Sequence, residues 1–187
     1  METGSTKRAR EKSIQKETSS KIRNKIRKKI TEISLSKAGL DTNFIFEILK
    51  YEKHFIGVIP QDYLTTLRIV SYPVSFVVNL DLSTQSGSHW IGIFILEDSI
   101  EIYDSLAMNS KYWKYYPNFL LKFLRQFSKT HRYFITPKLQ SPNSNMCGLY
   151  CIYFLLYRRS QTFTNCLSIF TSDLILNDNI LTTIFTE

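Results

Sequence analysis

The sequence predicts an α+β domain, with a small mixed sheet flanked by helices and a basic N-terminal arm in front of it. Segments whose apolar residues recur at helical spacing alternate along the chain with short runs rich in valine, isoleucine and aromatic residues. The hydrophobic content of 43% is sufficient for one core in a chain of 187 residues. Residues 1–37 contain 12 of the 24 basic side chains and 4 of the 16 acidic ones, so the net charge of +8 belongs to the arm and residues 38–187 are neutral.

The arm divides into two parts. Residues 1–20 are mostly polar, with almost nothing to bury, and are predicted to be disordered. Four isoleucines then recur at helical spacing and predict a short amphipathic helix that ends before Ala38-Gly39: Ile22, Ile26, Ile30 and Ile33. The basic residues between them are Lys21, Arg23, Lys25, Arg27, Lys28 and Lys29.

Four interpretations of this arm stay open. Its basic residues could bind the phosphates of DNA and hold the protein on a genome. They could equally form a nuclear-import signal, or the isoleucine stripe could bind a partner. The fourth interpretation is a solvated tail without a binding function.

The predicted elements of the domain, residues 38–187, are short and mixed in type. Helices are predicted at residues 43–51, near Pro60, and at residues 112–127, 147–158 and 173–185. Strands are predicted at residues 74–82, 89–96, 99–104 and 132–139. Residues 89–96 are apolar on both faces, which is typical of a central strand, and the acidic turn that follows predicts a hairpin with the next strand.

The composition argues against secreted, membrane-spanning and metal-dependent proteins. The sequence has no apolar run of the ~20 residues that a membrane span needs, and its N-terminus lacks the apolar segment of a signal peptide. Cys147, Cys151 and Cys166 have neither the spacing of a disulfide framework nor that of a metal site. We expect a monomer in a reducing, intracellular compartment, with no metal and no required cofactor, in which Cys151 and Cys166 are core residues.

Cys147 differs from the other cysteines because a polar loop precedes it and an apolar helix follows it. With Ser144 or Asn145 as the N-cap, its thiol would lie in the first turn of that helix. The unpaired N–H groups and the helix dipole lower the pKa of a thiol there, and the same groups can stabilise an oxyanion. The sequence therefore predicts a nucleophile, and Gly148 is expected to leave room for the backbone of a substrate.

A thiol nucleophile needs a base, and the chain has three histidines. His54 and His131 lie in charged segments and are predicted to be on the surface. His89 begins the central strand, where an imidazole can be held rigidly. We therefore rank His89 first.

The carboxylate that orients the imidazole must come from four acidic residues that follow His89. The two in the turn at residues 97–98 are expected to be solvated. Strand alternation places Asp104 on the same face as Ile102, and Glu101 on the other face. An acid at the end of a buried apolar face is costly unless it is paired, so Asp104 is the better candidate.

The ordered set His89-Trp90, Asp104, Gln140 and Cys147-Gly148 resembles the papain-like cysteine proteases of the adenovirus protease and SUMO-protease superfamily. The segment from Gln140 to Cys147 is similar to adenovirus proteases (adenains) almost residue by residue. The resemblance covers roughly residues 40–160 and implies the papain-like fold of the adenain/Ulp type.

The resemblance implies a role for each of these residues. Cys147 would be the nucleophile, His89 the general base and acid, and Asp104 the orienting carboxylate. Gln140 would donate its side-chain amide to the oxyanion hole, together with the backbone N–H of Cys147. Trp90 would pack beside the imidazole.

The activity that the resemblance implies is hydrolysis of peptide bonds through a thioester, after small residues at Gly-Gly or Gly-X sites. The substrates would be capsid or core precursors during virion maturation, in a host nucleus or a virion, with DNA as a possible activator. Two alternatives stay open: an isopeptidase for SUMO or ubiquitin-like modifiers, and a non-catalytic binding protein on a protease fold.

The sequence also departs from the adenains. Asp104 stands where they have Glu, and no cysteine precedes the strand predicted at residue 132, where adenains link to an activating peptide. The basic arm has no counterpart in them. These departures suggest an adenovirus-like virus or a Maverick/Polinton-type element as the source.

Overall fold

The computed structural model describes residues 20–31, 39–107 and 115–187. Two compact units are distinguished within them: one contains residues 20–31 and 182–187, and the other is Gly39–Leu181. Nearly all of the segment predicted to be disordered lies outside the described residues, as do Ile33 and Ala38, so the boundary between residues 37 and 38 stays a prediction. In the described parts of the chain, no helix has both the length and the apolarity for a membrane span.

A helix, α1, is formed by residues 20–31, where the isoleucine stripe predicts one. Ile26 and Ile30 are buried. The basic side chains at positions 21, 23, 25, 27 and 28 are exposed, and Lys29 is half-buried. This helix therefore has a buried apolar face and a basic face, as the spacing predicts.

The larger unit is built on a five-stranded mixed sheet in the order β1-β2-β3-β4-β5. The strands are β1 (Phe55–Pro60), β2 (Val74–Asn79), β3 (Trp90–Ile95), β4 (Ser99–Tyr103) and β5 (Arg132–Ile135). The inner strands β2, β3 and β4 are antiparallel, and the outer pairs β1–β2 and β4–β5 are parallel. The predicted mixed sheet, the central strand β3 and its hairpin with β4 are confirmed.

Helices cover both faces of this sheet. The helices of the unit are α2 (Thr42–Leu49), α3 (Asn118–Arg125), α4 (Cys147–Arg158), α5 (Phe163–Leu167) and α6 (Leu174–Thr186, which ends in the smaller unit). On one face α4 packs closely on β3. A Cβ atom added to Gly92 of β3 would lie 3.5 Å from the ring of Phe154 in α4. Phe154 also stacks on Tyr103, with 4.2 Å between ring centroids. On the other face α3 packs on the isoleucines of β3 and β4, so the predicted α+β class is confirmed.

Two elements, β1 and α5, have no counterpart in the prediction. β1 contains Gly57 and Pro60, which are rare inside strands, but it is an edge strand, where a missing donor on the outer side is tolerated. α5 has five residues, too few for a periodic pattern, and the hydroxyl of its N-cap Thr162 accepts the N–H of Asn165. The helix predicted near Pro60 is a short 3-10 helix, Gln61–Thr65.

Three predicted elements are shorter by three or more residues in the structure. The helix predicted at residues 112–127 begins at Asn118, after Pro117, because proline favours the start of a helix; residues 112–114 lie outside the described residues. The strand predicted to end at residue 139 ends at Ile135, whose pairing with Ile102 is the last one between β5 and β4. The strand predicted at residues 74–82 ends at Asn79, opposite the first residue of β3.

Candidate active site

His89 and Asp104 meet at one edge of the sheet. His89 immediately precedes β3 and Asp104 immediately follows β4, and the antiparallel pairing of these strands brings the two ends together. His89 Nε2 lies 2.8 Å from Asp104 Oδ1, and the side chains are 6% and 0% exposed. The two residues therefore form a buried, charge-assisted hydrogen bond.

The Asp104 carboxylate is held by further groups. The Tyr116 hydroxyl donates to Oδ2 and the backbone N–H of Leu106 donates to Oδ1, both at 3.2 Å. The Thr136 hydroxyl accepts from the backbone N–H of Asp104 at 3.0 Å and donates to its carbonyl at 2.8 Å. Burial and the neighbouring carboxylate raise the pKa of Tyr116 well above its usual range, so its hydroxyl remains a donor. Nothing in the sequence pattern singles out Tyr116 or Thr136, and the prediction missed both.

Cys147 is the first residue of α4, as predicted, and is 7% exposed. Met146 occupies the N-cap position, so the prediction of Ser144 or Asn145 as the N-cap is wrong: the helix starts one residue too late for Asn145 and two residues too late for Ser144. Met146 makes no side-chain hydrogen bond to the first turn. The Met146 side chain therefore does not compete with a thiolate or an oxyanion at Cys147 for the N–H groups of that turn.

The surroundings of His89 favour the protonated form of its imidazole. Burial is the largest single influence and lowers its pKa, but the hydrogen bond with Asp104 and the neighbouring Cys147 outweigh it and raise the pKa to about 9. His89 Nδ1 is buried and makes no hydrogen bond within the described residues, so it is the ring nitrogen available to the thiol. A nitrogen base and a thiol are thus placed side by side, as nucleophilic catalysis by a cysteine requires.

Gln140 lies in the loop before α4, where it is buried. Its Oε1 accepts from Ser105 Oγ at 2.7 Å, and its Nε2 donates to the Ser144 carbonyl at 2.6 Å. Because a carbonyl can only accept, the second contact fixes which end of the amide is nitrogen. Nε2 has a second N–H that the Ser144 carbonyl does not use.

A cleft of about 550 Å³ opens at this edge of the sheet. His89, Gln140, Cys147 and Trp90 line the cleft, whereas Asp104 is fully buried and reaches it through His89. The structure thus brings together the four residues that the sequence predicts as catalytic.

The fold of this chain is similar to folds of solved structures. No family model and no curated protein matches the chain. The crystal structure of the ASFV pS273R protease is similar, with a TM-score of 0.53 and 18% sequence identity, over 79% of this chain and 66% of that one. The fold is that of a protease.

Two further solved structures match less well. A selenomethionine form of the ASFV protease has a TM-score of 0.48 at 20% identity, over 79% of this chain and 67% of that one. The SUMO protease Ulp1 has a TM-score of 0.29 at 18% identity, over 61% and 54%. This chain spans 66% of the length of the ASFV protease that carries the comparison. The predicted protease fold is confirmed, while the adenovirus-like or Maverick/Polinton-type source stays a prediction.

Trp90 and Gly148 were expected to support the site. Trp90 lines the cleft and its Nε1 donates to the Leu40 carbonyl at 3.0 Å; its packing beside the imidazole stays a prediction. A Cβ atom on Gly148 would lie 3.0 Å from Leu40 Cβ and 3.1 Å from Ile45 Cδ1. The space beside Gly148 is therefore inside the fold, where α4 packs against α2, and this corrects the expectation that it admits a substrate.

The other candidate bases and acids lie elsewhere in the unit. His131 Nε2 lies 3.1 Å from the Leu96 carbonyl, in the turn before β5, and His54 precedes β1. Glu101 pairs with Arg158 of α4, on the sheet face that strand alternation predicts. None of these residues lines the cleft.

The two remaining cysteines are core residues, as predicted. Both are buried, and burial raises the pKa of Cys151 far above its usual range and that of Cys166 to about 11. Neither thiol forms a reactive thiolate at neutral pH. Within the described residues, no group of histidine, cysteine and acidic side chains could hold a metal ion.

Proposed function

We propose that this chain is a cysteine endopeptidase with Cys147 as its nucleophile. The observation that carries the proposal is the position of His89, whose imidazole is bonded to the buried Asp104 carboxylate and is adjacent to the Cys147 thiol. Acyl transfer through a thioester requires this arrangement of acid, base and nucleophile. The likeness in fold to the ASFV pS273R protease supports it.

The proposed reaction has two stages. The Cys147 thiolate attacks the carbonyl carbon of the peptide bond, and the second amide N–H of Gln140 and the backbone N–H of Cys147 stabilise the oxyanion. His89 gives its proton to the leaving amine, which departs and leaves a thioester. The neutral imidazole then takes a proton from a water molecule, which hydrolyses the thioester and restores the thiolate beside an imidazolium.

The substrates that we propose are viral capsid or core precursors, cleaved after small residues at Gly-Gly or Gly-X sites. The Cys147 side chain is largely buried at the cleft wall. Bulky side chains beside the scissile bond would keep its carbonyl away from a thiol at that depth. The likeness in fold to a protease of ASFV supports a viral precursor as the substrate.

Substitution of Cys147 by Ala tests this proposal, with Cys151→Ala as the matched control one turn further along α4. We expect Cys147→Ala to fold and to cleave no member of a peptide library built on Gly-Gly-X, and Cys151→Ala to keep its turnover. Turnover by Cys147→Ala at the wild-type rate would contradict the proposal.

A ubiquitin-like probe, used beside the peptide library, distinguishes the alternatives. Labelling of Cys147 by a ubiquitin-like probe with a C-terminal electrophile, without cleavage of any peptide, would make the chain an isopeptidase. Reaction with neither the probe nor the library would make it a binding protein on a protease fold.

We also propose that the arm binds DNA through the basic face of α1, and that bound DNA activates cleavage. The support is the exposure of five of its six basic side chains on a helix whose Ile26 and Ile30 are buried. Replacing all six by Gln in the full chain should weaken binding to duplex DNA. The slope of the logarithm of the binding constant against the logarithm of the salt concentration should become shallower by about 0.9 for each lost phosphate contact. Equal affinity and equal slope would contradict this role.

A further inference from the structure

Ser105, the residue after Asp104, makes three hydrogen bonds to the segment that contains Gln140. Its hydroxyl donates to Gln140 Oε1 at 2.7 Å. Its carbonyl oxygen accepts from the backbone N–H groups of Leu139 at 2.8 Å and of Gln140 at 2.9 Å. Ser105 is buried, so little water competes for these contacts. One residue therefore holds both the backbone and the side chain of Gln140.

The Ser105 hydroxyl determines where the second amide N–H of Gln140 points. The amide is planar, and the Ser144 carbonyl takes one of its two N–H donors at 2.6 Å. A contact at Oε1 and another at Nε2 fix the plane of the group, and with it the direction of the remaining N–H. Donation to Oε1 also polarises the amide, which makes that N–H a stronger donor.

The course of the loop does not depend on this hydroxyl. The Leu139 carbonyl accepts from Tyr150 Oη at 3.2 Å and from Asn177 Nδ2 at 3.0 Å, so α4 and α6 hold the backbone next to Gln140. The two backbone contacts of Ser105 use its carbonyl, which any residue at this position would supply. The hydroxyl therefore acts on the side-chain amide of Gln140 and not on the path of the chain.

We propose that Ser105 is a positioning residue of the oxyanion hole, which directs the unused N–H of the Gln140 amide at the developing oxyanion. This proposal rests on the proposed function. It assigns the two halves of the chemistry to adjacent residues: Asp104 orients the imidazole that moves the proton, and Ser105 orients the amide that binds the negative charge. Thr136 holds the backbone of Asp104 on both sides, so the two orientations are set by one rigid stretch.

Steady-state kinetics of Ser105→Ala, Gln140→Ala and the double variant test the proposal on a peptide that the wild type cleaves. Loss of an oxyanion donor costs about 10²–10³ in kcat, which we expect for Gln140→Ala. Ser105→Ala should lower kcat about 10- to 100-fold with little change in KM, and should add nothing in the Gln140→Ala background. Ser75→Ala, which alters a buried serine of β2, is the matched control and should keep the wild-type kcat.

Alkylation of Cys147 by iodoacetamide separates positioning from damage to the nucleophile, because this reaction needs no oxyanion hole. Ser105→Ala should be alkylated at the wild-type rate. Slower alkylation, or an equal loss of kcat with and without Gln140, would overturn the proposal, since the serine would then act on the fold or on the thiol.

A second measurement does not depend on catalysis. The side-chain amide signals of Gln140 in ¹H–¹⁵N NMR, identified by their loss in Gln140→Glu, should shift and lose protection from exchange in Ser105→Ala but not in Ser75→Ala. Unchanged signals would overturn the positioning role. Shifted signals in a protein that cleaves no peptide would overturn the proposed function and leave the positioning of the amide standing.

Discussion

Glu101 and Asp104 are two buried carboxylates on opposite faces of β4 and its continuation. Glu101 faces α4, where Arg158 Nε and Nη2 donate to its two oxygens at 2.6 and 2.9 Å. Asp104 faces the other side, where His89 Nε2 lies 2.8 Å away. Both carboxylates are buried and paired, and the difference between them lies in the partner.

The partner decides whether the pair can do chemistry. A guanidinium stays charged at any pH at which proteins fold, so it can serve as neither a base nor an acid in catalysis. The imidazole of His89 can do both, and its second nitrogen is available to Cys147. Burial of a carboxylate therefore does not by itself indicate function, whereas a titratable partner at the wall of a cleft does.

The largest expected effect separates the two carboxylates by activity. Asp104→Asn should lower kcat/KM about 10³–10⁴-fold, because Asn cannot stabilise the imidazolium or keep its orientation. Glu101→Gln should leave kcat/KM per titrated thiol within about twofold of the wild type. Peptide hydrolysis normalised by active-site titration checks both values. Similar losses in the two variants would contradict the different roles of the two carboxylates.

The second expected effect concerns the contribution of Glu101 to stability. Glu101→Gln leaves Arg158 without its anion at a site where the two side chains are 5% and 16% exposed, and should lower the free energy of unfolding by about 3 kcal/mol. Asp98→Asn is the matched control, because the pair that Asp98 forms with Arg132 is exposed to solvent and should contribute much less to stability. Denaturation in urea measures both, and equal losses would contradict the assignment of Glu101.

The pH dependence of stability and of activity reports on the His89–Asp104 pair. Folding raises the pKa of His89 from 6.5 to about 9, so its contribution to stability is fully present below pH 6.5 and is lost as the pH rises through 9. We expect the free energy of unfolding to decline across this window. Since the imidazolium protonates the leaving amine, kcat/KM should fall above about pH 9.

Asp104→Asn and Glu101→Gln provide the controls for the pH profile of kcat/KM. Asp104→Asn should move the fall of its residual activity to lower pH, because the carboxylate that holds the proton on His89 is gone. Glu101→Gln should not move it. A fall of kcat/KM near pH 6.5 in the wild type, or a fall at the same pH in the wild type and in Asp104→Asn, would contradict the raised pKa of His89.

The smallest effect concerns Tyr116, which donates to Asp104 Oδ2. Tyr116→Phe should cost about 1 kcal/mol of stability. With one donor fewer, the carboxylate attracts the imidazolium more strongly, so the pKa of His89 and the alkaline fall of kcat/KM should both rise. Tyr133→Phe, which removes a hydroxyl bonded to the Leu124 carbonyl, should cost similar stability without moving the profile. A downward movement in Tyr116→Phe would contradict the inference.

The sequence predicted those parts of the molecule that depend on local periodicity. The alternation in β4 places Glu101 and Asp104 on opposite faces, and the apolar run after Cys147 places that residue at the start of α4. The edge strand β1 escaped prediction because its Gly57 and Pro60 interrupt the pattern, and only pairing with β2 makes it a strand.

Four candidate residues of the site could be identified from the sequence: His89, Asp104, Gln140 and Cys147. The contacts that hold them became visible only in the fold, since Ser105 and Gln140 are 35 positions apart and Thr136 and Asp104 are 32 apart. Periodicity depends on the spacing of neighbours along one element, and it is legible in any short window. Contacts between distant residues depend on strand register and on how helices dock on the sheet, and these are set by the packing of the whole core.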